Sequence, residues 1–224
     1  MTRWEAAIKR ILDVLIPCAL ILILLPLFMM VALLIRLDSQ GGVIYRQARA
    51  GRNGAPFYLY KFRSMVVNAE HQGAGYYFSG PDDPRITRVG RVLRNTSLDE
   101  LPQLFNVLKG DMSIVGPRPC LPYQVELFNV RQQRRLEVKP GITGWAQING
   151  RNNQSWSKRI EYDLWYLDHY SLWLDFKILF KTIGVVFSGS GISYDVTPEK
   201  MEDFGPPGAP KKDGGSEVRS VRGK

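Results

Sequence analysis

The sequence is poor in the side chains on which most small metalloenzymes and hydrolases depend. It holds two histidines and two cysteines in 224 residues. His71 and His169 stand alone, which argues against a histidine metal cluster or a Ser/His triad. Cys18 and Cys120 offer neither a disulfide framework nor zinc-ligand spacing, and Cys18, inside an apolar run, reads as an ordinary buried thiol. There is no Walker loop and no Gly-x-Gly-x-x-Gly, so nucleotide binding of those types has no support. No internal repeat is visible.

What is abundant is positive charge. Thirty Lys and Arg against 21 Asp and Glu give a net charge of +9 and a pI near 9.6. That balance favours anionic partners: phosphate substrates, anionic lipid or nucleic acid. The length suits one domain with a modest core.

Ile11 to Leu37 is almost wholly apolar and long enough for a membrane helix. It is too long for a typical signal-peptide core, and no A-x-A-like site follows it. Pro17 and Pro26 interrupt it, and a mid-helix proline removes one hydrogen bond and crowds the carbonyl four residues back. Both flanks are basic, with Arg3, Lys9 and Arg10 before and Arg36, Arg46, Arg49 and Arg52 after. Because Lys and Arg favour the cytoplasmic side, a helix bent at Pro26 that dips in and returns satisfies both flanks, while a straight single-pass anchor is the simpler reading.

The remainder reads as α/β, mainly helical with a short β-hairpin. Val43 to Arg46 and Phe57 to Met65 read as strands around Gly51-Arg52-Asn53-Gly54. Asn68 to Pro84 is a Gly-rich polar loop. Leu98, Leu101, Leu104, Phe105 and Leu108 recur at helical spacing, with Gly110 as the stop. One helix is expected over Pro122 to Val138, with Arg131, Arg134 and Arg135 on its surface. From Ser155 to Phe187, Trp156, Trp165 and Trp173 interleave with Lys158, Arg159, Lys177 and Lys181. That pattern suits amphipathic helices at a membrane interface or aromatic core packing. The division expected is a membrane helix over 1–40, a catalytic unit over 41–190 and a tail over 191–224, disordered from about Gly205.

Ser97-Leu98-Asp99-Glu100 opens the central helix. Ser97 and Glu100 match a capping box, so capping alone could account for these residues. The same position gives a carboxylate a depressed pKa, leaving Asp99 ionised and nucleophilic toward phosphorus, with Glu100 able to bind a divalent metal or shuttle a proton. Gln103 and Asn106 are expected on the same side as Asp99. Lys61, Arg63, Arg88, Arg91, Arg94 and Arg118 supply the cations that attack on a diphosphate needs. An acidic pair at the focus of these cations, together with the apolar anchor, argues against nucleic acid.

These residues fall in a recognisable series. It runs from Lys9-Arg10-Ile11-Leu12-Asp13 through Lys61-Phe62-Arg63-Ser64-Met65 and Ser97-Leu98-Asp99-Glu100-Leu101-Pro102-Gln103-Leu104-Phe105-Asn106-Val107. It continues with Lys109-Gly110-Asp111-Met112-Ser113, Gly116-Pro117-Arg118-Pro119 and Pro140-Gly141-Ile142-Thr143-Gly144-Trp145-Ala146-Gln147. The chain resembles the bacterial sugar transferases, the monotopic phosphoglycosyl transferases, in their minimal form with no multi-helix membrane domain before the apolar segment.

The resemblance implies a re-entrant helix broken at Pro26 in the bacterial inner membrane, with the catalytic unit on the cytoplasmic face. It implies attack by Asp99 on the β-phosphate of a UDP-sugar, release of UMP, and transfer of the phosphosugar to a polyprenol phosphate such as undecaprenyl phosphate. Such a step opens glycan, O-antigen, lipopolysaccharide or exopolysaccharide assembly. It implies Mg²⁺ at Glu100, phosphate contacts from Lys61, Arg63, Arg94 and Arg118, a nucleotide-side loop with Gly144, Gln147 and Arg151, a further active-site residue in Asp175, and a possible homodimer. The family's helix breaks at a Ser-Pro pair; here the pair is Leu25-Pro26. The rival reading is a membrane-anchored scaffold without catalysis, binding anionic lipid or a partner.

Overall fold

A 36-residue helix, α1 (Arg3–Asp38), dominates the computed structural model, which describes residues 1–72, 83–150 and 154–188, the last four as backbone only. The tail and Arg151 lie outside the described residues, as does most of the Asn68 to Pro84 loop. Thr2 and Glu5 form a capping box that starts α1: the Thr2 hydroxyl accepts from the Glu5 amide and the Glu5 carboxylate accepts from the Thr2 amide at 2.7 Å. The helix runs without interruption through Pro17 and Pro26, so the expected break at Pro26 is not a gap between two helices. Each proline removes one donor, and the ladder continues on either side.

Both arms of α1 rest on the same body. In the first arm Lys9 Nζ donates to Asp175 Oδ2 at 2.5 Å and to the Val115 carbonyl at 2.9 Å. Arg10 donates to the carbonyls of Val107 and Leu108, and Asp13 accepts from Ser113 Oγ and the Ile114 amide. The second arm is apolar: Phe28, Val31 and Ile35 pack with Phe62 and Leu93, and Phe28 meets Phe105 edge-on at 6.0 Å. Between the arms Leu22 and Ile23 are 73% and 71% exposed, part of an apolar surface of the kind that marks a membrane or partner contact. Cys18, expected to be buried, is exposed on this stretch, while Cys120 is buried in the core.

After α1 the chain forms an antiparallel hairpin, β1 (Ile44–Ala50) with β2 (Pro56–Phe62), in register from Ile44 against Phe62 to Ala50 against Pro56. Its turn takes Asn53 and Gly54 into positive φ, which Asn and Gly tolerate best. Then follow α2 (Arg88–Asn95) and α3 (Gln103–Lys109), with Gly110 as the left-handed stop. Asn106 is wholly buried and donates to the Tyr58 carbonyl while accepting from the Tyr60 amide. It pairs with the edge of β2 as a neighbouring strand would, so it does not face the acidic pair. Gln103 is likewise buried.

Two three-residue strands, β3 (Ser113–Val115) and β4 (Gly141–Thr143), pair in parallel. Between them the single helix expected over Pro122 to Val138 is two short ones, α4 (Pro122–Glu126) and α5 (Val130–Gln133). Phe128 drops into the core and Asn129 caps a new start. Finally α6 (Trp145–Ile148), α7 (Trp156–Asp168) and α8 (Leu172–Ser188) close the body. Trp156 packs on a core cluster with Ile160 and Leu164, so of the three interleaved tryptophans it serves the interior.

Arg135, expected on the surface, is 3% exposed and donates to Asp163 Oδ2 at 2.6 Å and to the Arg118 carbonyl at 2.9 Å. Burial lifts the Asp163 carboxyl to about 6 against the pull of Arg135. A carboxyl raised on folding contributes stability below its unfolded pKa and loses it as pH rises through the folded value. Arg135→Met is therefore expected to cost about 3–5 kcal/mol at pH 8, where Asp163 is left charged and unpaired, and less at pH 5. Thermal unfolding in detergent at the two pH values checks this, and equal losses would contradict it.

Candidate active site

The acidic pair does not sit where a capping box would put it. Leu98–Glu100 is a separate 3₁₀ turn, and Pro102, which has no N–H to give, stands at the entry to α3. Ser97 lies at φ 58° and its side chain caps nothing. A serine in the left-handed region costs about 1 kcal/mol, and here that strained residue opens the turn bearing Asp99 and Glu100. The capping reading thus fails for a physical reason: Glu100 is drawn to two cations instead of to a backbone amide.

Lys61 on β2 donates to Glu100 Oε1 at 2.8 Å and Arg118 Nη2 donates to the same oxygen at 2.7 Å. Burial alone would push Glu100 up, but Arg118 and Lys61 outweigh it and hold its carboxyl below the ordinary range. Asp99, 8% exposed, goes the other way. Burial raises its carboxyl, Glu100 adds repulsion, and Lys61, Arg94 and Arg118 only partly compensate. Two adjacent carboxylates are thus driven apart, one firmly ionised and one held closer to neutrality.

Of the cations expected here, Lys61, Arg94 and Arg118 are brought to the pair, whereas Arg88 and Arg91 are exposed on α2. Arg63 is a correction. It donates to the carbonyls of Ser39, at 2.8 Å, and Gln40, capping the end of α1, where unpaired helix carbonyls attract a guanidinium. Asp175 is another. It binds Lys9 and accepts from Tyr166 Oη at 2.6 Å, so it fastens α1 to α8 and touches neither Asp99 nor Glu100.

The loop carrying Arg118 is braced from behind. Gly116 meets Gly144 so closely that a Cβ on Gly144 would stand 2.2 Å from the Gly116 carbonyl; that contact accounts for Gly144. Gln147 lies beside Gly144, with both amide atoms buried and unbonded among the described residues. Arg49, read only as a basic flank in the sequence, donates to the Pro119 carbonyl at 2.9 Å and to Gln47. Burial and the charge of Arg118 bring Arg49 down to about 10. Neither bracing arginine has a local sequence signal, because each acts across more than 15 residues.

Among the described residues no three Asp, Glu, His or Cys side chains form a metal cluster. Two neighbouring carboxylates still fit Mg²⁺, which is commonly held by one or two carboxylates together with substrate phosphates.

Comparison with known proteins places the chain. Residues 4–189 match the family model described as bacterial sugar transferase. The chain is 44% identical over 200 residues to the uncharacterized sugar transferase EpsL of Bacillus subtilis, covering 88% of this chain and 97% of that one. It is 41% identical over 196 residues to the exopolysaccharide production protein ExoY of Sinorhizobium fredii, covering 82% and 87%. It is 44% identical over 192 residues to the UDP-N-acetylgalactosamine-undecaprenyl-phosphate N-acetylgalactosaminephosphotransferase of Aeromonas hydrophila. That match covers 83% of this chain and 45% of the relative, so the chain spans less than half of that protein.

Because Lys61 lowers both carboxyls, Lys61→Met is expected to move the Asp99 carboxyl higher still. Carboxyl ¹³C titration of labelled Asp99 in detergent measures it; a downward shift would contradict this balance of charges.

Proposed function

The chain belongs to the bacterial sugar transferase family, and we propose that it transfers a phosphosugar from a UDP-sugar to a polyprenol phosphate, such as undecaprenyl phosphate, by way of a phosphosugar carried on Asp99. The observation that carries this reading is the buried Asp99 beside a Glu100 clamped by Lys61 and Arg118. Relatives named for UDP-sugars and for undecaprenyl phosphate support the donor and acceptor classes.

In the first step an Asp99 carboxylate oxygen attacks the sugar-bearing phosphorus. The bond from that phosphorus to the bridging oxygen breaks, and its electron pair leaves on UMP. In the second step a phosphate oxygen of the polyprenol phosphate attacks the same phosphorus and Asp99 departs as carboxylate. Neither step needs a proton, since nucleophile and leaving group are both anions. The firmly ionised Glu100 suits charge placement better than proton transfer. Lys61, Arg94 and Arg118 orient the phosphates and offset the charge spread over the transferred group. Glu100, with Asp99, would hold Mg²⁺, which when bound supplies further charge neutralisation.

A lipid acceptor accounts for the anchor. Both arms of α1 contact the same body, which supports a helix that enters and leaves on the same side of the inner membrane, the cytoplasmic side given its basic flanks. On α8, Trp173, Phe176, Phe180 and Ile183 form an exposed apolar stripe at 3- and 4-residue spacing, with Lys177 and Lys181 beside it. That composition fits a helix lying in the headgroup layer. A non-catalytic scaffold would have no use for a strained turn holding a buried, charge-split acidic pair.

With purified protein, Mg²⁺ and undecaprenyl phosphate, the wild type is expected to release UMP from at least one UDP-sugar of a panel. Asp99→Asn should lower release by about 10³-fold or more, as loss of an acting nucleophile does. Release by both proteins at similar rates would remove Asp99 from this role. For topology, reporters at the two ends of the chain are both expected to resist protease added from the periplasmic side; cleavage at the N-terminus alone would favour a single span.

A further inference from the structure

One cation near the site takes no part in these contacts. Arg159, on the first turns of α7, is held at its base by a hydrogen bond from Nε to the Gln154 carbonyl at 3.1 Å. Its guanidinium lies 5.8 Å from the Trp156 ring, and Arg135 stands at the same distance from that ring. The side chain is therefore fixed, yet neither Nη1 nor Nη2 has a partner among the described residues. The one carboxylate nearby, Asp163, is already bound to Arg135. Burial and the facing charge of Arg118 depress Arg159 to about 10. A half-buried fork of free donors set against two like charges is a site that an anion completes.

We propose that Arg159, together with Arg118, forms a phosphate-monoester subsite beyond the phosphorus attacked by Asp99, holding first the phosphate that leaves with the nucleotide and then the phosphate of the acceptor. The inference rests on the transfer reaction proposed above. Arg135 and Arg118 link the two places: Arg135 shares the Trp156 ring with Arg159 and donates to the Arg118 carbonyl at 2.9 Å, and the Arg118 guanidinium binds Glu100. Arg118 bonds to Glu100 and Arg159 does not, so Arg159 stands one residue removed from the acidic pair, as a second phosphate of a diphosphate would require. Displacement at phosphorus runs roughly in line. UMP must therefore depart opposite Asp99, and the acceptor must enter opposite Asp99 to expel it. Leaving group and nucleophile are both phosphate monoesters, so one subsite serves both steps.

The test measures UMP affinity by direct binding, and KM for undecaprenyl phosphate under turnover, for the wild type, Arg159→Gln and Arg159→Lys, with unfolding midpoints for all three. Loss of one charge-assisted contact is expected to weaken UMP binding and raise the acceptor KM by about tenfold or more in Arg159→Gln. Arg159→Lys, which keeps the charge and loses the fork, should fall between and guards against a folding defect. An effect on UMP alone or on the acceptor alone overturns the shared subsite. Unchanged values for both in a folded Arg159→Gln overturn it. A wild type that binds UMP through Arg159 yet releases none from any UDP-sugar would keep the subsite and sink the reaction instead.

Discussion

Half-buried Glu100 is held firmly ionised by Lys61 and Arg118, which both donate to it, and the architecture around the site serves that requirement. Lys61 is delivered by the hairpin, whose second strand is held in place by Asn106 from α3. Arg118 is delivered by a loop that could drift, were its backbone not gripped at two successive carbonyls, Arg118 by Arg135 and Pro119 by Arg49. A half-buried carboxylate that loses its bonded cations loses the contacts that hold it ionised, so each of these supports is tied to the acidic pair. Positive charge in excess of negative is the natural state of such a site before an anionic substrate arrives.

The anchor is joined to the same body by two different kinds of force. Its first arm is fixed by directional contacts from Lys9, Arg10 and Asp13, its second by apolar packing around Phe28, Val31 and Ile35. Directional contacts set rotation and depth, since a shift of one residue turns Lys9 and Asp13 about 100° away from their partners. Apolar packing tolerates more. Between the arms, beyond the buried Pro17, Leu22 and Ile23 stand clear of the body as an exposed apolar surface. A body fixed to its anchor at both ends has little freedom to rotate against the bilayer, and a reaction whose acceptor is confined to that bilayer gains from a fixed height.

The sequence displayed the hairpin, the anchor, the Gly110 stop and the convergence of Lys61, Arg94 and Arg118, because each rests on local pattern or on a run of motif residues. It misled where one residue type serves two ends. Arg63 sits in the same motif as Lys61, yet it stands just beyond the last residue of β2, where the end of α1 needs a cation. Asp175 is acidic and interior, and its partner Lys9 is 166 residues away, a distance no periodicity reports. The β3–β4 ladder escaped because three residues are too few to show alternation. Ser97 and Glu100 matched a capping pattern in spacing alone; the pattern cannot register that Glu100 has stronger partners than an amide.

Asp99 and Glu100 share a turn and a low dielectric, so the cations that lower one should lower both. They do, and the two still part: the nearest donors bond to Glu100, whereas at Asp99 they act only through space and are outweighed by burial and by the charge of Glu100. Splitting two equal carboxylates in this way assigns roles without further machinery. The bonded one becomes a fixed negative charge that orders Lys61 and Arg118. The unbonded one keeps its lone pairs free among the described residues, and desolvation raises its basicity, as the nucleophile of the proposed reaction requires whenever it is ionised. An incoming diphosphate would compete with Glu100 for Arg118 and Lys61, and each donor it draws away returns repulsion to the acidic pair. In the proposed reaction, diphosphate binding and the ionisation of Asp99 would thus be coupled through the same two side chains.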